Sequence, residues 1–258
     1  MTEAFFLKAV GLFLIALVRF SGFFVNLPVF GESIIPMRVK AGLSALCALI
    51  VLPHLIATQE LPELGVPGYG LMAIKELVLG LTLGFMVMIN IDALKFAGQM
   101  IGMQVGFSFV QVVDPESNRS QAIVSELLQL LGLIVFLSVN GHLILLQAFV
   151  QSFELVPLAG LKVPGGVVAE LVRISSMVFW VGLQVSMPVF AVILIGDVGL
   201  GIIARTVPRM NIFQVGFALK ILIGLLVLGM CLPFVGDLVK NLLRTVYGDL
   251  NTLLNAMG

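Results

Sequence analysis

The side chains able to do chemistry are few, and none is spaced to do it. The two histidines, His54 and His142, belong to no H-E-x-x-H pair and to no other metal-ligand spacing. His142 lies in Asn140-Gly141-His142 at the end of an apolar run, where an interfacial imidazole capping carbonyls is the plain reading. No G-x-S-x-G nucleophile elbow and no G-x-x-x-x-G-K-[ST] phosphate loop is present. Cys47 (in ALCALIV) and Cys231 (in GMCLPF) have no second cysteine near them, so they read as small buried hydrophobes. Asn118-Arg119-Ser120 matches a glycosylation sequon over three residues only, and carries little weight. No catalytic residue, cofactor or metal is expected.

Two other groups of polar residues stand out. Arg19, Glu76, Asp92, Lys95, Asp197 and Lys220 lie within or beside apolar stretches, where charges are expensive and face protein or water. Acidic members of this set (Glu76, Asp92, Asp197) could serve a small secondary transporter or ion channel, although no inverted repeat is visible. The second group forms polar connectors. Residues 107–120 begin with Phe107, Ser108, Phe109, Val110 and Gln111, turn at Asp114-Pro115 and end at Ser120. This segment is either a solvated link or a loop long enough to project into a cavity and block it. Residues 197–211 carry Arg205 and Arg209 beside Pro208 and end at Asn211; their guanidiniums suit a cytoplasmic loop or partner carboxylates and carbonyls.

The elements that must position these groups are apolar helices. AVILMFWYC make up 60% of the 258 residues and charged residues only 11%, against about 25% charged in ordinary soluble domains. That is too little polar surface for a freely soluble monomer. Fourteen Lys+Arg balance fourteen Asp+Glu without a basic stripe, which excludes a nucleic-acid reader. Apolar stretches at 9–30, 41–57, 71–91, 122–150, 167–196 and 212–236 predict six long helices, each near the ~20 residues that cross a bilayer. The first is read as a retained helix, since Arg19 interrupts it and no small-residue cleavage pattern follows. Glycine and proline clusters, Pro53 among them, punctuate these stretches, and the whole is expected to be one all-α domain. Basic residues fall almost evenly on the two sides, so no topology follows. Residues 68–114 contain no proline and would run about 70 Å if wholly helical. A break near Asn90, a hairpin at 90–98, or helices not crossing lipid directly would each account for that.

Gly80 and Gly84, then Gly98, Gly102 and Gly106, recur at four-residue spacing. Such a face lets helix backbones approach closely, within the chain or between subunits. Met86, Met88, Met100 and Met103 line the same region as adaptable filler.

With these residues in view, the chain resembles a known family, the bacterial flagellar biosynthetic protein FliR and its counterparts in virulence type III secretion. The matching stretches are Arg19 with LPVFGESIIPMRVKAGLS, KELVLGLTLGF, AGQMIGMQVGFSFVQVVDP, FLSVNGHLILLQAFVQSF and LIGDVGLGIIARTVPRMNIFQVGFALKILIGL, in the family's order from about 19 to 225. Arg209 departs from the glutamine more usual there. The resemblance implies a non-enzymatic, multi-pass inner-membrane subunit of a protein-export gate at the flagellar basal body. One copy would join FliP and FliQ subunits in a helical, pore-forming hetero-oligomer that meets other export-apparatus proteins, membrane lipid and flagellar proteins in transit. It also implies that residues 107–120 plug the pore, and that charges such as Arg19, Glu76 and Asp197, with Arg205 and Asn211, face neighbouring subunits.

Overall fold

A computed structural model describes residues 2–27, 35–62, 64–107, 123–158, 160–161, 165–206 and 211–257, and among these the chain is all-α. The helices are α1 (Thr2–Asn26), α2 (Met37–Thr58), α3 (Val66–Val105), α4 (Ile123–Ser138), α5 (Gly141–Leu155), α6 (Gly165–Thr206) and α7 (Ile212–Met257). Five of them (α1, α2, α3, α6 and α7) are long and apolar enough to cross a membrane, and the bent pair α4–α5 makes a sixth candidate.

Several boundaries depart from the sequence expectation, each for a physical reason. The apolar stretch 122–150 is two helices bent by 69°. Asn140 adopts the left-handed conformation, φ 57° and ψ 31°, which few residues other than glycine and asparagine enter cheaply. Pro53, expected to punctuate, lies inside α2, as Pro188 does in α6 and Pro233 in α7. A proline removes one backbone hydrogen bond, and apolar helices tolerate this where neighbours satisfy the freed carbonyl. No break or hairpin interrupts α3, which runs 40 residues, about 60 Å. α6 and α7 outrun the apolar stretches that predicted them, at 42 and 46 residues. Their charged ends end hydropathy but not helix: in α7, Lys240 pairs with Asp237 one turn away at 3.0 Å.

The helices divide between two compact units. One comprises Met1–Ile89, Asn140–Ile174 and Leu243–Gly258, the other Asn90–Val139 and Ser175–Leu242. The first has an aromatic centre, with Phe149 between Phe20 and Phe23 at ring-centroid distances of 4.6 and 4.3 Å. The second is aliphatic: Leu94, Ala97, Ile101 and Val105 of α3 pack with Leu128 of α4, Val189 and Ile193 of α6, and Val235 of α7.

Candidate functional site

Among the described residues the largest fully buried side chain is Arg19, in the C-terminal third of α1, 0% exposed and with its partner Glu76 at 1%. Each face of the guanidinium is used. Nε donates to Glu76 Oε2 at 2.5 Å; Nη1 donates to the Ser152 carbonyl at 3.0 Å and to its Oγ at 3.2 Å. Nη2 donates to the Val156 carbonyl at 3.0 Å, and the group lies 4.1 Å above the Phe153 ring. Both carbonyls lie at the electronegative C-terminal end of α5, where that of Ser152 also accepts the N–H of Val156 at 3.0 Å. α1, α3 and α5 are thus joined through one side chain. Arg19 and Glu76 satisfy each other inside the chain, which corrects the expectation that they face neighbouring subunits. With its carboxylate held by Arg19, Glu76 also makes a poor intramembrane ion site.

The glycines lie where backbones meet. A β-carbon on Gly80 would collide with the Arg19 carbonyl oxygen, and one on Gly84 would meet the Phe23 carbonyl oxygen at 2.7 Å. Gly22 of α1 answers from the other side, 2.7 Å from the Leu77 carbonyl by the same construction. In the second unit, Gly98 abuts the backbone of Ser125, whose hydroxyl donates to the Lys95 carbonyl at 2.8 Å. Small residues here let α1 meet α3, and α3 meet α4, at backbone distance.

Gly106 does something different from what its spacing implied. Its φ is +100°. Its N–H donates to the Met103 carbonyl, and the N–H of Phe107 donates to that of Gly102 at 3.0 Å. That pattern is a Schellman cap, in which a left-handed glycine ends the helix. Phe107, assigned to the projecting loop, instead packs against the apolar core of the second unit. Ser108, Phe109, Val110, Gln111, Asp114, Pro115 and Ser120 lie outside the described residues.

Asp197 and Lys220 pair across α6 and α7 at 2.7 Å, each about a third exposed. Arg205 is exposed in the last turn of α6, where a cation suits the helix dipole. Asn211 accepts the N–H of Gln214 at 3.3 Å, capping the start of α7. Arg209 lies outside the described residues. Sequence reasoning missed Gln59, which accepts the N–H of Leu158 at 3.3 Å and donates to the Phe153 carbonyl at 2.9 Å. It also missed Arg173, which holds both Glu170 and Asp249 at 2.6 Å. Most of these partners are distant in the chain and leave no local signal. Among the described residues no group of three or more His, Cys, Asp or Glu is arranged to hold a metal ion.

The family model described as bacterial export proteins, family 1, matches residues 10–246. The flagellar biosynthetic protein FliR of Bacillus subtilis is 31% identical over 250 residues, 95% of this chain and 95% of the relative. FliR of Pectobacterium carotovorum is 30% identical over 240 residues, 93% and 91%. FliR of Escherichia coli is 26% identical over 260 residues, 99% and 97%. A chain that is all-α among its described residues, with five or six candidate membrane spans there and a match over nearly its full length, belongs to the FliR family of bacterial export proteins, and is a membrane protein of flagellar biosynthesis.

Proposed function

We propose that this chain is a non-enzymatic structural subunit of the flagellar type III export gate. One copy joins FliP and FliQ to form the closed pore through which unfolded flagellar proteins are secreted, in the inner membrane at the basal body. Residues 108–120 act as its plug, and other export-apparatus proteins surround it.

The observation that carries this reading is the uncovered apolar surface of α6. Large apolar side chains are exposed from Val168 and Val172, through Phe179, Trp180, Met187 and Ile195, to Ile202 and Ile203. At ~1.5 Å per residue this is about 50 Å of helix, against a hydrocarbon core of about 30 Å. Even at a tilt of about 40°, a helix crosses that core in about 40 Å. Lipid therefore covers only part of the surface, and helices of other chains cover the rest. A self-contained transporter has no use for such an excess.

The test is detergent extraction followed by native mass spectrometry, with and without the genes of the two small partners. One copy of this chain bound to several copies of both partners is the expected result. A monodisperse monomer, stable alone and unchanged by the partners, overturns the proposal.

A further inference from the structure

In the first unit, α1, the segment between α2 and α3 at Glu60 and Leu61, and the start of α3 border an open cleft of about 870 Å3, within the ~300–1,000 Å3 of small-molecule sites. Its lining is divided by polarity. Lys8, Glu60 and Tyr69 supply the polar groups, while Gly11, Leu14 and Val18 of α1 and Ala73 of α3 form an apolar wall. The three polar residues all sit where spans end: Lys8 close to the start of the α1 span at Phe5, Glu60 just past the end of α2 at Thr58, and Tyr69 in the first turn of α3. Lysine and tyrosine at span ends mark the headgroup level of a membrane. From Lys8 the lining continues along α1 to Val18, with Leu61 packed over it at Gly11, about 15 Å at ~1.5 Å per residue. That is half of the roughly 30 Å hydrocarbon thickness, the depth of one leaflet.

The charges at the mouth are complementary to a ligand rather than to each other. Lys8 Nζ makes one hydrogen bond, to the Ile56 carbonyl at 3.3 Å, and an ammonium has three donors. The Tyr69 hydroxyl is held by the Pro62 carbonyl at 2.9 Å. Among the described residues neither Lys8 nor Glu60 has an ion-pair partner, although both line the same cleft.

We infer that this cleft holds one amine-bearing, zwitterionic diacyl phospholipid, with its phosphate on Lys8, its ammonium on Glu60 and one acyl chain along α1. An anionic lipid would set its charge beside Glu60 with nothing to neutralise the carboxylate. An apolar helix of another subunit would leave both charges facing hydrocarbon, where they are costly.

The experiment uses the full chain in its purified membrane complex, delipidated and then titrated with phosphatidylethanolamine or phosphatidylglycerol of identical acyl chains, with bound lipid counted by native mass spectrometry. The difference between wild type and Leu14→Trp, which fills the apolar wall, isolates this site. One phosphatidylethanolamine per copy is expected there, favoured about tenfold over phosphatidylglycerol, the size of one charge-assisted hydrogen bond. Glu60→Gln should bring that ratio to about one. Glu60 is exposed and lies outside the helices, so an unchanged melting midpoint of the complex accompanies the loss. Equal binding of the two lipids by wild type, or a preference that survives Glu60→Gln, overturns the inference. So does photo-leucine at position 14 cross-linking a protein subunit instead of lipid.

Discussion

A β-carbon added to Gly80 would run into the carbonyl oxygen of Arg19, so there is no room for a side chain between α3 and α1. The same residue of α1 sends its guanidinium to Glu76, one turn earlier on α3. The close approach and the buried ion pair therefore depend on each other: the helices meet at backbone distance where the short charge contact needs them to.

Gly80→Val should push the helices apart and cost about 1–3 kcal/mol by overpacking. The expected readout is a lower melting midpoint and lower recovery of the detergent-solubilised complex. Gly42→Ala, where an added β-carbon would meet nothing within 4 Å, should leave both unchanged. Equal tolerance at the two positions would show that the crossing is not tight.

Removing one partner of the buried pair leaves the other uncompensated. Arg19→Met or Glu76→Gln should each destabilise by about 3–5 kcal/mol. The double replacement Arg19→Met with Glu76→Met should recover at least half of that loss, because two apolar groups leave no stranded charge. Melting of the four proteins forms the cycle. Additive losses in the double variant would mean that the pair is not the reason for either.

Gly106→Ala places a β-carbon in a left-handed position and beside the Phe217 ring, 3.2 Å away. The conformational part alone costs about 1–2 kcal/mol. Gly106→Asn should be milder, since asparagine enters this region more readily. Protease sensitivity of the chain between α3 and α4 is a direct measure, and should rise in the alanine variant first.

Deleting residues 108–118 should leave assembly with the partner subunits intact and increase ion leakage across the membrane. Conductance of the reconstituted complex is the measurement. An assembled complex with unchanged leakage would remove these residues from the role of plug.

Much of the helical architecture was legible because hydropathy and helix length both follow from composition. The left-handed turn at Asn140 was not, since apolar residues continue on both sides of it and mask the bend. Pro53 misled for the opposite reason: a residue that breaks helices in water is carried inside an apolar one. Four-residue spacing located the close approach at Gly80, Gly84 and Gly98. It could not separate Gly106, where the same spacing hides a change in φ. The pairing of Arg19 with Glu76 joins residues 57 apart, and no local pattern encodes such a choice among several buried charges.

The partners of Arg19 also set an order of events during synthesis. Its carboxylate lies 57 residues downstream, but the carbonyls of Ser152 and Val156 lie 133 and 137 residues downstream. At the ~5–20 residues per second of translation, roughly 7–27 s separate the emergence of Arg19 from that of Ser152. During that interval the first helix carries a guanidinium whose final donors have nowhere to go. α1 consequently reaches its finished place only once α5 has been made, and the nascent protein stays dependent on whatever shelters that charge until then.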